Sequence, residues 1–319
     1  MTADVSVIIA AWNARDYLGE AIESVIGQTA PPRELFVIDD GSTDDTAAIA
    51  GRYCEQSRVA VRLIRQENQG LPAARNAGIR EADGKWIAFL DADDVWQPDH
   101  LSSLLGIVVS DDFYGVRFAN AFSFGSNNGG KANFDLTKRC VALVEEEVGC
   151  AIQIPGRALF SAIARGNFIP PSAVMVLNGV GDAEQWFDPM VRKGSDRDLF
   201  LRLATRTGFA FIDRPTVALR IHDSNMSQGP QLDRSKYILH ALRNLFRPPY
   251  RHRLDCDARR ALEEAYRHEI AALLYRGSLA GPRKLAAAYI LAVRHPLRLE
   301  ALSLRPLLRQ VALSLHIKS

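Results

Sequence analysis

The sequence predicts an α/β fold, a mostly parallel, doubly wound sheet followed by a helical C-terminal extension, on three observations. Short apolar runs alternate with segments of helical period through the first hundred residues. Several runs end in clustered carboxylates and carboxamides, the place where an open parallel sheet meets its ligand. Beyond Gln231 the runs stop and the charge changes sign. Residues 234–319 hold 17 Lys+Arg against 6 Asp+Glu (+11), which leaves 22 against 31 (−9) for residues 1–233.

Taken in order, residues 5–11 form an apolar run interrupted only by Ser6 and read as a strand. Tyr17, Leu18, Ala21, Ile22, Val25 and Ile26 recur at helical spacing and read as the first helix. Residues 35–38 are the next strand, and in the "DDGSTDDT" after it Ser42 is placed to cap a helix, with Asp45 three residues on. Residues 59–64 are a third strand. Pro72 opens a helix to about Ala82, because a first turn tolerates proline. Residues 86–90 complete the series.

From 110 to 165 the pattern weakens: 116–124 reads as a strand, "GSNNGG" as a loop and 157–165 as a helix. "NFIPPSAVMVLN" reads as a loop and then a strand. In "KGSDRDLFLRLATRTG", Leu199, Phe200, Leu203 and Ala204 share a helical face, Asp196 and Asp198 sit at the favourable N-terminal end, and Gly208 is the expected stop. "FAFIDRPTVALRIHDSNMS" reads as two short strands around Pro215. Ala258, Ala261, Leu262, Ala265, Tyr266, Ile270, Leu273 and Leu274 form one face of an amphipathic helix. The uncharged run at 285–293 is too short to span a bilayer.

With 319 residues, 47% of them hydrophobic, the chain has material for a large core. The expected division is one large α/β domain over 1–230, with the sharper strand-and-helix pattern in 1–110 and the weaker one in 111–230, and a basic helical extension over 231–319. Cys54, Cys140, Cys150 and Cys256 are widely spaced, which suggests free thiols rather than a zinc site or disulfide framework. Nothing at the N-terminus has the pattern of an export signal, so a cytoplasmic protein is expected.

The chemistry concentrates at the strand ends. In "GKWIAFLDADDVWQPDH" three carboxylates, Asp91, Asp93 and Asp94, follow a buried run, and such anions repel one another unless a cation sits among them. Short carboxylates suit a hard divalent ion such as magnesium or manganese, which often completes its shell with substrate phosphates. A solvated turn with Asp94 or Asp99 capping the next helix is the plainer alternative. Asp39-Asp40 reads either as a contact to a base or ribose hydroxyl or as helix capping. Asp196 follows the flexible Gly194-Ser195 and so reads as exposed to a cleft, or as an N-cap. His222 and Arg75 are lone candidates, Arg75 for a phosphate.

Four stretches in this order, "VSVIIAAWN", "LFVIDDGSTDDT", "ENQGLPAARNAGI" with "WIAFLDADDVW", and "SDRDLFLRL", resemble the family 2 glycosyltransferases over roughly residues 5–227. The resemblance implies a GT-A catalytic domain over 1–230, with nucleotide-sugar binding in 1–110 and the acceptor part in 111–230, and an inverting transfer from a nucleoside diphosphate sugar, with a UDP-sugar the favoured donor and a saccharide or lipid-linked hydroxyl the acceptor. It implies that Ala10, Trp12 and Asp40 hold base and ribose, with Asn13, Asn68 and Arg75 in the same donor site. Asp93 would bind Mn2+ or Mg2+, Asp91 would lie nearer the ribose or sugar, His222 would be a further metal or diphosphate ligand, and Asp196 would be the general base. Two positions depart from the family pattern: Ala10 stands where proline is usual, and Ser195 where a glutamate usually precedes the base.

The same motifs admit other readings. "FLDADDV" resembles the nucleophile motif of haloacid-dehalogenase-like phosphatases, but three strand and helix units precede it here and the downstream metal motif is missing. A non-catalytic nucleotide-binding scaffold is the third reading, set against the joint presence of Asp91, Asp93, Asp196 and His222. For the basic extension the expected partner is an anionic membrane surface on the inner face, the alternative being packing on the catalytic domain or between subunits. Nucleic acid is not expected, since no aromatic stacking platform accompanies the charge.

Overall fold

The computed structural model describes residues 2–109, 113–125, 132–133, 136–143, 146–148, 151–181, 186–222 and 231–279. The chain divides into two compact units, Met1–Asn225 and Met226–Ser319. In the first, elements follow in the order β1 (Ala3–Ala11), α1 (Leu18–Ile26), β2 (Pro32–Asp39), α2 (Thr46–Gln56), β3 (Ala60–Arg65), α3 (Leu71–Glu81), β4 (Trp86–Asp91), β5 (Val95–Trp96) and α4 (His100–Leu105). Then come β6 (Val116–Gly125), β7 (Ala132–Asn133), α5 (Leu136–Val141), β8 (Glu146–Val148), β9 (Ala151–Ile154), α6 (Gly156–Arg165), β10 (Val174–Leu177), α7 (Ser195–Ala204) and β11 (Phe209–Ile221).

The strands form one sheet in the order β3-β2-β1-β4-β10-β6-β11-β9-β8, with β5 paired to β11 and β7 to β6. β3, β2, β1 and β4 are parallel, as their alternation with helices requires, while β10 runs antiparallel between β4 and β6. Alternate residues face opposite ways, so the apolar runs serve two cores. Val7, Ile9, Leu35, Val37, Ala88 and Leu90 pack with Leu18, Ala21, Ile22 and Val25 of α1 and with Leu101 and Leu104 of α4. Ile8 and Ile38 face α3, where Gly78 lies so close that a Cβ there would stand 2.8 Å from Ile8 Cγ2. Phe36, Phe89, Phe118, Phe200 and Phe209 are fully buried, and each contributes about 1.5–3 kcal/mol by leaving water.

Three sequence expectations are corrected. Ser42 does not cap α2: its hydroxyl accepts the Asn13 amide (2.9 Å), and α2 begins after Asp45 with no side-chain cap. α7 ends at Ala204 with Thr205 as its cap, not at Gly208. The two strands around Pro215 are one strand, β11, whose pairing with β6 slips on either side of Pro215; a register shift accommodates a residue with no N–H to give the ladder. "GSNNGG" after Gly125, the run at 285–293 and Cys150 lie outside the described residues.

The second unit contains α8 (Gln231–Leu245) and α9 (Cys256–Leu279), with a 3-10 turn at Tyr250–Arg253. α9 buries the predicted face, Ala258, Ala261, Leu262, Ala265, Tyr266, Ile270, Leu273 and Leu274, and leaves Arg259, Arg260, Arg267 and His268 exposed. α8 supplies Ile238, Leu239, Ala241, Leu242 and Leu245 as its buried residues. Among the described residues no helix is long and apolar enough to cross a membrane.

Candidate active site at the carboxyl rim of the sheet

Parallel register sets the rim. Arg65 pairs with Asp39, Asp39 with Ala11, and Ala10 with Asp91, so β3, β2, β1 and β4 end side by side. The loops leaving these strands are tied to one another by side chains. Asn13, the one described non-glycine residue at positive φ (49°), accepts the Thr43 amide at 2.9 Å and donates its own amide to Ser42. Asp39 accepts the Ser42 amide (3.0 Å) and Arg65 Nε (3.1 Å). Asp40, buried, accepts Gln66 Nε2 (2.7 Å) and the amides of Gln69 (2.9 Å) and Gly70 (2.8 Å). Asp40 and Asn13 therefore position the rim loops. Neither caps a helix.

What the loops leave open is Trp12, 59% exposed at the end of β1, and Asn68, exposed on the β3–α3 loop. Ala10 is half-buried behind them. Asn68 depends on Gly41: at Gly41, φ 74°, a Cβ would stand 2.8 Å from the Asn68 amide nitrogen, so the two loops approach closely only with glycine there.

The three carboxylates after β4 each have a partner. Asp91 pairs with Arg75, which is buried on α3 and also lies over the Phe187 ring at 5.1 Å, so the alternative of an exposed helix arginine is excluded. Asp93 Oδ2 lies 3.0 Å from His222 Nε2. Asp94 accepts the Ser172 hydroxyl (2.5 Å) and the Arg220 amide (3.0 Å), and the Ser172 oxygen in turn accepts the Asp91 amide (3.1 Å). Burial, then the Asp91 charge, pushes the Asp93 carboxyl up in pKa against the pull of His222. Burial together with both neighbouring charges pushes Asp94 well above the carboxylate range. Asp94 is thus a buried strut of the turn and caps no helix.

β11 delivers Arg220 and, one residue past its end, His222. Its pairing with β5 brings the strand beside the acidic turn, where Arg220 donates from Nε to the Asp93 carbonyl (2.9 Å), pairs with Glu20, and lies over the rings of Tyr17 (5.0 Å) and Phe124 (4.4 Å). Tyr17 also packs against His222, ring centroids 4.8 Å apart. Among the described residues no three His, Cys, Asp or Glu side chains converge as a ready-made metal cage. Carboxylate and imidazole at Asp93 and His222, with Asp91 adjacent, are donor types that would suit a hard divalent ion.

Asp196 stands on the first turn of α7. It is not the N-cap, which is Gly194 in a left-handed conformation (φ 77°). Its Oδ2 accepts Asn167 Nδ2 at 2.6 Å, and among the described residues its Oδ1 has no donor. Asp198, by contrast, is buried and paired with Arg202 (2.8 Å), and Ser195 is buried too. α7 is joined to α3 through the segment before it: Arg202 donates to the Trp186 carbonyl, and Asn76 on α3 both donates to the Phe187 carbonyl (2.7 Å) and accepts its amide (2.9 Å).

The structure thus brings Asp91, Asp93, His222 and Arg75 together with Ala10 and Trp12 at one rim, and holds Asp196 on a helix tied to α3. Sequence reasoning missed Tyr17, Asn76, Asn167, Ser172 and Arg220. "PPS" and "LRIH" carried no local sign of them, because their partners are remote in the chain.

Residues 6–150 match the family model described as Glycosyl transferase family 2. An uncharacterized glycosyltransferase of Rickettsia felis is 32% identical over 225 residues, 68% of this chain and 33% of that protein. The chain spans about a third of the length of the relatives it matches first. Among solved structures, S. aureus TarS 1-349 in complex with UDP-GlcNAc superposes with a TM-score of 0.60 at 16% identity, covering 91% of this chain and 89% of that one. The mannosyltransferase PcManGT from Pyrobaculum calidifontis, in complex with GDP-Man and Mn2+, gives 0.55 at 19% identity over 92% and 79%. These likenesses are of fold, and the fold is the GT-A arrangement.

Proposed function

Because the chain belongs to glycosyl transferase family 2, we propose that it transfers a sugar from a nucleoside diphosphate sugar, a UDP-sugar in the first instance, to a hydroxyl of a saccharide or lipid-linked acceptor in cell-surface polysaccharide or glycolipid synthesis. The observation that carries this is the convergence of Asp93 and His222, 129 positions apart, at the carboxyl rim beside Asp91.

Asp93 and His222 hold Mn2+ or Mg2+, which when bound supplies Lewis-acid stabilisation to the departing diphosphate. Trp12, exposed at the end of β1, offers a face to the nucleobase, and Asp40 and Asn13 keep the surrounding loops in place. Arg75 balances Asp91, and Arg220 holds the Asp93 backbone. On the acceptor side, Asp196 Oδ1 takes the hydroxyl proton. The hydroxyl oxygen forms its bond to the anomeric carbon as the carbon–oxygen bond to the diphosphate breaks, and the nucleoside diphosphate leaves with that electron pair. One displacement inverts the centre, and general-base help contributes ~10²- to 10⁴-fold.

The exposed Arg259, Arg260 and Arg267 of α9 support contact of the basic extension with an anionic membrane surface, at about 1 kcal/mol per well-placed residue. This makes the protein a peripheral one on the cytoplasmic face. Thermal unfolding with UDP, GDP, dTDP and CDP, each with and without manganese, tests donor binding. Saturation at 100 times Kd adds about 2.7 kcal/mol. The expected result is a shift for one nucleotide that requires manganese and disappears in Asp93→Ala; no shift with any nucleotide argues against the reading.

A further inference from the structure

Asn167 lies in the loop between α6 and the 3-10 turn Pro171–Ala173 that leads into β10. Its carboxamide is oriented without ambiguity. Oδ1 accepts the Ile169 amide (3.2 Å), so Nδ2 must be the atom that donates to the Ile169 carbonyl (3.0 Å) and to Asp196 Oδ2 (2.6 Å). The loop itself is anchored, since Phe168 and Ile169 are buried and two prolines follow. A free carboxylate presents two equivalent oxygens and rotates between them. One held at Oδ2 presents only Oδ1, in one place.

We infer that Asn167 is the positioning residue of the reaction: it fixes the Asp196 carboxylate through Oδ2 so that Oδ1 alone receives the acceptor proton. This rests on the reading of Asp196 as the general base. It also bears on Ser195, whose small buried side chain supplies no second acid beside the base. Here the companion of the base comes from a separate loop, 29 residues earlier in the chain, as a neutral donor. Alignment of a reacting group by a neighbour commonly governs kcat rather than donor affinity.

A double-mutant cycle separates positioning from mere support of the fold. The wild-type 319-residue chain, Asn167→Ala, Asp196→Asn and the double variant are compared for nucleoside diphosphate release from UDP-glucose, UDP-N-acetylglucosamine and GDP-mannose with manganese. The expected result is a ~10- to 100-fold fall in kcat for Asn167→Ala with donor KM unchanged, and a double variant no slower than Asp196→Asn. A loss that multiplies in the double variant, a loss in KM alone, or no loss overturns the inference. Should Asn167→Ala not fold, Asn167→Ser keeps a short polar side chain beside the Ile169 amide while retracting the donor from Asp196, with the same expectations. Wild-type turnover matched by the Asn167 variants overturns only the role of Asn167. Wild type that releases no nucleotide and shows no nucleotide-induced thermal shift overturns the transferase reading and this inference with it.

Discussion

Acidification should destabilise the first unit through one buried histidine, and the size of the effect follows from its surroundings. His100, at the start of α4, is 0% exposed; its Nδ1 is 2.8 Å from Thr216 Oγ1, the Trp96 ring lies 4.4 Å away, and Nε2 has no partner among the described residues. Burial pushes its pKa down to about 3, against ~6.5 in an unfolded chain. Between those values the unfolded state binds a proton that the native state refuses. The stability His100 allows is therefore fully present above about pH 6.5 and is lost as pH falls toward 3. At pH 4.5 the loss is about 3 kcal/mol relative to pH 8. Urea unfolding of wild type and His100→Gln at pH 8, 6.5, 5.5 and 4.5 checks this. All 4 tryptophans, Trp12, Trp86, Trp96 and Trp186, lie in the first unit, so their fluorescence reports that unit alone. The difference between the two proteins should shift by about 3 kcal/mol in favour of His100→Gln over that range. A difference independent of pH would refute the reasoning, because it would mean that native His100 takes up its proton as readily as the unfolded chain.

Other outcomes follow from single contacts. Asp40→Ala removes the acceptor of two loop amides and should cost about 2–3 kcal/mol, with faster hydrogen exchange at Gln69 and Gly70 read by mass spectrometry or NMR. Unchanged exchange there would contradict the positioning role of Asp40. Gly84→Ala puts a Cβ 2.5 Å from the Ser6 backbone nitrogen and should destabilise by about 1–3 kcal/mol in urea unfolding. Gly51→Ala, in the interior of α2 with nothing within 4 Å, should stabilise by about 0.5–1 kcal/mol.

β1, β2 and β4 were legible because each holds a largely apolar run between turn residues, and a strand buried on both faces needs no alternation; β3, interrupted by the exposed Arg62, showed itself through Val61, Leu63 and Ile64. The acid cluster was legible for the same local reason: Asp91, Asp93 and Asp94 follow such a run directly. β11 was not, since Pro215 punctuates it in sequence while its bulged pairing with β6 carries the strand past the proline. Ser42 looked like a cap because its true partner, Asn13, belongs to another loop. The balance of the site was least legible. Arg220 meets the Asp93 backbone from 127 residues away, and Asn167 meets Asp196 across 29. Such pairs come from topology, which places β11 against β5 and α7 against the loop before β10, and no local spacing encodes them.

The most direct measurement is cleavage of sugar nucleotides by the 319-residue chain with manganese, followed as nucleoside diphosphate release. Wild type is compared with Asp196→Asn, with p-nitrophenyl phosphate as a control substrate. The account predicts release from at least one donor, a ~10²- to 10⁴-fold slower rate in Asp196→Asn, and no hydrolysis of the phosphate ester. Ester hydrolysis without donor cleavage, or equal donor cleavage by both proteins, would contradict it.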